Sequence, residues 1–255
     1  MAGVELLLTG GSGVLGRELQ GLLPGALAPG RDELDVCDAH GVTAWFRDHR
    51  PAVVVHAAAY TDVVAAERDR ATCWRVNVGG THAVVAAARE VGARLVHVSS
   101  DYVFAGAAAR GAEGAPVRGA AGYREDDPPG PARNYYGLTK LVSEEVARSL
   151  PGTLVIRTSF RPREWPYPVA FTDLLTSQDY VDVVAPDIAL AIDNLERIPF
   201  ATLHIAGDPI SAFELARRRR PDVRPGSKRE AAVTLPDDIV LDVSRWRALR
   251  SELSA

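Results

Sequence analysis

At 255 residues the chain can bury one sizeable core, or form one large domain with a small lobe. Its residues are 47% hydrophobic and 24% charged, an ordinary globular balance, and a net charge of −4 gives no general pull towards nucleic acid or anionic membrane. No apolar run approaches the roughly 20 residues of a membrane span, and the start "MAGVELLLTGG" lacks the basic region of a signal peptide, so a cytoplasmic protein is expected.

In chain order, "VELLLTG" (4–10) reads as a first strand and "VLGRELQGLL" (14–23) as a helix. A weak second strand is expected within "GALAP" (25–29), then a helix over "AHGVTAWFRDHR" (39–50). "AVVVHAA" (52–58), "ARLVHVSS" (93–100) and "TLVIRTS" (153–159) are continuous apolar runs rich in β-branched residues, the pattern of strands buried on both faces of a parallel sheet. Helices are expected over 73–92 and over "NYYGLTKLVSEEVARSL" (134–150). This alternation predicts an α/β, Rossmann-type doubly wound parallel sheet. Residues 105–131, rich in Ala, Gly and Pro, read as a long mobile loop. Beyond 160 the chain is broken by Pro162, Pro166, Pro168, Pro186, Pro199 and Pro209, with a strand, turn and helix over 201–220 in which Ser211 precedes Glu214 as an N-cap. The division expected is a dinucleotide-binding domain over 1–160 and a small C-terminal substrate lobe over 161–255, interleaved with C-terminal elements of the sheet domain.

The first strand runs into "TGGSGVLG", with Gly10, Gly13 and Gly16 at G-x-x-G-x-x-G spacing. Gly10 allows a tight turn, Gly13 lets backbone approach a diphosphate, and Gly16 lets helix pack on strand, while the helix N-terminus offers free N–H groups. A ligand-free strand–helix turn could use the same residues, but a glycine turn after a first strand and before a helix points to a dinucleotide. In "APGRDEL", Arg31 precedes Asp32 near the end of the second strand; arginine there accommodates a 2′-phosphate, so NADPH is expected over NADH.

In "NYYGLTK" each helical residue turns about 100°, so Tyr136 lies about 40° from Lys140 and Tyr135 about 140° from it. A phenol beside an ammonium is either a lysine stem covering a surface ring or an acid whose phenolate is favoured by the neighbouring charge. Two cysteines, Cys37 and Cys73, make neither a disulfide framework nor a metal set, and the six histidines show no ligand spacing, so no metal is expected. His56 and His97 lie inside apolar strands and read as hydrogen-bonded core residues. "ARRRRPD" (216–222) reads as a solvated helix end.

Together the glycine turn and "YGLTK" resemble the extended short-chain dehydrogenase/reductase superfamily. The closer resemblance is to the dTDP-4-dehydrorhamnose reductase family. It is carried by "HAAAYTDVVAAE" (56–67), "SSDYVFAG" (99–106), "YREDDPPGPARNYYGLTKLVSEE" (123–145), "IRTSF" (156–160), "LHIAGDPISAFELARR" (203–218) and "LPDDIVLDVSRWRAL" (235–249). It implies reduction of a 4-keto group on a nucleotide-linked deoxysugar by NADP, with NAD as the alternative cofactor. Tyr136 would donate the proton, Ser100 would bind the keto oxygen, Lys140 would hold the ribose and favour the phenolate, and Asn77 of "NVGGT" would support the relay; Ser99 reads as structural. The resemblance also implies cofactor contacts from Ser12, Val14, Leu15, Asp35, Val36, Ala57, Ala58 and Ala59, and substrate contacts from Thr61, Asp101, Tyr102 and Phe160. Phe160 stands where the family motif carries tryptophan, the substrate lobe is short, and the loop between Ser100 and Tyr136 is expanded. That loop and the proline-rich segment after Phe160 are expected to cover the substrate. A homodimer is compatible with the family. The other readings of the same residues are a sugar-nucleotide epimerase or dehydratase, and a non-catalytic NAD(P)-binding regulatory subunit.

Overall fold

The computed structural model describes residues 6–106, 122–236 and 238–253. Its first half follows the predicted alternation: β1 (Leu6–Thr9), α1 (Val14–Leu22), β2 (Ala26–Leu27), α2 (Ala39–His49), β3 (Val53–His56), α3 (Val63–Arg68), α4 (Arg70–Trp74), α5 (Gly80–Val91), β4 (Arg94–Ser100), α6 (Tyr135–Arg148) and β5 (Leu154–Thr158). Local chemistry starts the helices. The side chains of Asp38, Asp62, Asp69 and Asn134 each accept a hydrogen bond from a backbone N–H in the first turn that follows, satisfying donors that have no partner within the helix.

The second half supplies β6 (Phe160–Arg161), β7 (Val169–Phe171), β8 (Leu175–Thr176), β9 (Asp179–Tyr180), α7 (Val181–Asp193), β10 (Thr202–His204), β11 (Ile210–Ser211), α8 (Ala212–Arg219), β12 (Arg224–Gly226) and α9 (Ser244–Leu253). Six strands pair in parallel in the order β10-β5-β4-β3-β1-β2. After β1 the chain moves outward to β2 and then returns past β1 to β3. Strand order therefore reverses between β1 and β3, and a crevice opens at the carboxyl ends of those strands.

Neighbouring residues of each central strand face opposite layers. Leu8 packs with Leu15, Leu19, Ile188, Leu203 and Trp246 on one face of the sheet, and Leu7 packs with Val42, Phe46, Val84 and Ala88 on the other. Burying both faces is why these strands read as unbroken apolar runs, and each full burial of such a side chain contributes roughly 1.5–3 kcal/mol. A smaller cluster of Trp165, Ala170, Leu174, Tyr180, Ile210, Leu215 and Val223 forms beside the sheet, where the short pairs β7·β12 and β8·β11 lie. The Ser211–Glu214 capping box expected at the start of α8 is present. The arginines at its end are taken up by local carboxylates: Arg219 by Asp182, Arg218 by Asp179 and Arg220 by Asp222.

Three expectations need correction. Pro186 does not interrupt the chain but sits inside α7, on its exposed side. Water there can serve the carbonyl that proline leaves without a donor, while Val184, Ala185 and Ile188 hold the helix on the sheet. Residues 73–92 are not one regular helix, because a π-helical turn, Arg75–Gly79, separates α4 from α5. Of the loop over 105–131, residues 107–121 lie outside the described residues, but 122–131 are pinned. Tyr123 stacks on Phe104 with ring centroids 4.2 Å apart, and its N–H and C=O bond Val240 and Asp242.

Candidate active site

The glycine turn closes against the backbone of the next strand. Gly10 has φ +76°, and a Cβ there would lie 2.6 Å from the Ala58 nitrogen; a Cβ on Gly16 would lie 2.2 Å from the Gly10 carbonyl oxygen. Gly13 caps α1 without a side-chain hydrogen bond. The first N–H groups of the helix are thus presented to the crevice rather than to a capping side chain, which fits a diphosphate. Gly16→Ala is expected to destabilise the chain by about 1–3 kcal/mol through overpacking against rigid backbone. An unchanged urea midpoint would count against that close approach.

From this turn a cavity of about 520 Å³ runs across the carboxyl ends of the central strands. It is bordered by Gly10, Ser12, Gly13, Val14, Leu15 and Gly16, by Arg31, Asp35 and Val36, and by Ala57, Ala58, Ala59 and Thr61. Ser100, Asp101, Tyr102, Tyr136, Lys140 and Phe160 close its other end. Every site residue expected from the sequence borders this one cavity except Asn77. That residue is buried in the π-helical turn, where its amide clamps the backbone N–H and C=O of Tyr60 at 2.7 and 3.1 Å and donates to Thr139 Oγ1 at 2.9 Å. At the open rim, Arg31 lies 3.5 Å from Asp35, whose carboxylate is held below its usual range chiefly by the Cys37 N–H.

The helical face separates the two tyrosines as predicted. Asn134 Oδ1 accepts from the Gly137 N–H, starting α6, and a Cβ on Gly137 would lie 2.5 Å from the Tyr102 carbonyl oxygen, so the helix seats directly on the turn after β4. Tyr136 faces inward and borders the cavity together with Ser100, its ring 5.6 Å from that of Tyr102 in an edge-on contact. Tyr135 faces α3: its N–H donates to Glu67 at 2.7 Å and Arg70 lies over its ring. Lys140 is buried and donates to the Val98 carbonyl at 2.8 Å. Burial lowers its pKa to about 8, with the Glu144 charge opposing, so it remains charged at neutral pH. Burial also dominates Tyr136, raising the phenol above its ordinary value against the opposing influence of the Ser100 hydroxyl. The expected lowering by Lys140 does not govern the phenol in this geometry, because the ammonium is directed at Val98.

Ser99, one residue before Ser100, faces the other side of β4 and donates to Glu144 at 2.6 Å, a structural role. His56 is held between Thr9 and Thr81 hydroxyls, with burial lowering its pKa to about 3, and His97 bonds Ser143. Both are core residues. Among the described residues no group of three or more His, Cys, Asp or Glu is placed to hold a metal, and no helix is long and apolar enough to cross a membrane.

Sequence reasoning missed Arg161, Tyr167 and Gln178, which border the cavity beyond Phe160. Arg161 donates to Gln178 Oε1 at 2.9 Å and lies over the Trp165 and Tyr167 rings at 5.3 and 5.8 Å. Its signal was its place directly after "RTSF", an arginine emerging from a central strand's carboxyl end. Pro162 and Tyr167 of the proline-rich segment border the same cavity.

A doubly wound sheet with a glycine turn at its switch point and a serine, tyrosine and lysine converging on one cavity defines the extended short-chain dehydrogenase/reductase class of fold and site. A family model described as RmlD substrate binding domain matches residues 4–190, and the chain belongs to that family. It is 42% identical over 160 residues to a dTDP-4-dehydrorhamnose reductase of Streptomyces griseus, covering 60% of this chain and 49% of that protein. A dTDP-4-dehydrorhamnose reductase of Aggregatibacter actinomycetemcomitans is 29% identical over 237 residues, covering 83% of this chain and 76% of that one. The chain thus matches about half the length of the Streptomyces relative. Among solved structures, dTDP-4-dehydrorhamnose reductase from Bacillus anthracis in complex with NADP superposes with a TM-score of 0.81 at 26% identity, covering 98% of this chain and 92% of that one.

Proposed function

We propose that the chain is an NADPH-dependent reductase of the 4-keto group of a nucleotide-linked deoxysugar. The observation that carries this reading is one continuous cavity, with the glycine turn at one end and Ser100, Tyr136 and Lys140 at the other. Gly10, Gly13 and the start of α1 would hold the diphosphate, Asp35 and Val36 would flank the adenosine, and Lys140 would hold the nicotinamide ribose. When bound, the nicotinamide supplies the hydride. Tyr136, protonated throughout the neutral range, delivers the proton to the keto oxygen, and Ser100 orients that oxygen. Arg161, a guanidinium braced by two aromatic rings at the far end of the cavity, suits the phosphates of a sugar nucleotide. Residues 161–255 would contribute the sugar-binding wall.

The relatives support this assignment by their names, and the test is direct. Mixing the protein with NADPH and dTDP-4-dehydrorhamnose should consume NADPH in step with sugar. No consumption with that sugar, or with any other nucleotide-linked 4-keto-6-deoxysugar, would overturn the reading.

Cofactor choice follows from the rim. The Arg31 side chain is 71% exposed and free to swing from Asp35 towards a 2′-phosphate. NADPH should bind more tightly than NADH. Arg31→Ala should raise the Kd of NADPH by about tenfold, a typical loss for a charged hydrogen bond, and leave NADH unchanged. Equal affinities for both cofactors, unaffected by the substitution, would refute the role of Arg31.

A further inference from the structure

Ser100 carries one hydrogen and two lone pairs. In the structure its hydroxyl donates to Asp101 Oδ1 at 3.0 Å and accepts the Tyr102 N–H at 3.2 Å. With its single hydrogen committed to a carboxylate, Ser100 has only acceptor capacity left for a group in the cavity. The serine hydrogen thus points to Asp101, away from the cavity where a keto oxygen would lie.

Asp101 is 1% exposed, and its second oxygen, Oδ2, makes no hydrogen bond among the described residues. A buried carboxylate oxygen without a donor favours the neutral acid. Protonated on Oδ1, the carboxyl becomes the donor to Ser100. The serine hydrogen is then released towards the cavity. Resting on the reductase reading above, we infer that Asp101 is a positioning residue that sets the direction of the Ser100 hydroxyl, outward to the substrate oxygen when neutral and inward when ionised. No bond to carbon is made or broken in this step; one proton on Asp101 reverses the orientation of the Ser100 hydroxyl.

The groups facing Asp101 can be named. Ser100 adjoins it on the chain; Ser159, between β5 and β6, and Arg161 of β6 both favour its charged form; the Tyr136 phenol on α6 and the neighbouring Tyr102 phenol lie on its other sides. Burial outweighs the two serines and the arginine and raises its pKa to about 6. Lys140, titrating near 8, gives a separate and higher limb.

The test is the pH profile of kcat/KM for keto-sugar reduction, combined with the infrared difference spectrum of the whole protein across the same range. The native chain should show an alkaline limb near pH 6, falling about tenfold per pH unit as a one-proton step does, and a protonated-carboxyl band that disappears over the same interval. Asp101→Asn keeps a permanent donor to Ser100. It should lack both the limb and the band, whatever the height of its plateau. Should its turnover be too small to profile, Ser159→Ala decides, since losing a hydroxyl that favours the carboxylate should move the limb to higher pH. A limb that persists in Asp101→Asn, one that stays in place in Ser159→Ala, or a native spectrum without the titrating band would each overturn the inference. The infrared measurement needs no substrate, so a chain that reduces no keto sugar would sink the reductase reading and leave the protonation of Asp101 still measured.

Discussion

Tyr136→Phe is expected to lose about 10²–10⁴-fold in kcat for keto-sugar reduction, the usual cost of removing one positioned acid. The variant keeps the ring, its edge-on contact with Tyr102 and its place against Cys73 and Ala66, so folding and NADPH affinity should stay close to those of the parent. Lys140→Met should weaken cofactor binding and, through it, the rate, because that ammonium is assigned to the nicotinamide ribose. Tyr135→Phe is the control. Its backbone N–H, not its hydroxyl, meets Glu67, and its ring lies beneath Arg70, so its rate should remain within a few-fold of the parent, small against that catalytic range. A dead Tyr135→Phe beside an active Tyr136→Phe would refute the assignment of the proton donor.

What could be read in advance was what depends on local order. The glycine turn, the β-branched runs and the shared face of Tyr136 and Lys140 are set by spacing along the chain, and the structure places them accordingly. What could not be read depends on partners far away in sequence. Pro186 was taken as an interruption because the apolar contacts that hold α7 to the sheet lie on α1 and β10. The π-helical turn around Asn77 has no periodic signature, and exists where the amide reaches across to the Tyr60 backbone and Thr139. Tyr123 looked like part of a featureless Ala/Gly loop, since its stacking partner Phe104 and its ladder partner Leu241 lie on other segments. Ser99 and Ser100 were separable only through the family resemblance, which places Ser100 directly before "DYVF"; strand alternation, which sends neighbouring side chains to opposite faces, agrees with it.

The buried ion pair behind the site is the other feature hidden from local reading, and it carries the largest expected effect on stability. Arg157 on β5 and Glu144 on α6 are 2% and 0% exposed, and their side chains meet through Nη2–Oε2 at 2.9 Å and Nε–Oε1 at 3.0 Å. The Ser99 hydroxyl donates to the same carboxylate, while the guanidinium lies over Phe104 and donates to the Glu125 carbonyl. The network therefore joins β4, β5, α6 and the segment before α6, immediately behind Ser100 and one helical turn beyond Lys140. Removing Glu144 leaves Arg157 in the interior without its counterion, and removing Arg157 leaves Glu144 with only the longer contact from the partly exposed Arg148 at 3.4 Å. Glu144→Gln and Arg157→Met should each cost about 3–5 kcal/mol, lowering Tm by roughly 10 °C or more in a chain of this size. Glu144→Gln should also move the Lys140 pKa further down, because the Glu144 charge is what raises it against burial. The double variant should be less destabilised than the two single losses added together, since neither charge is then left alone. Denaturant midpoints for the four proteins close the cycle. Strict additivity would mean that the pair contributes no coupling and that the single losses come from packing alone.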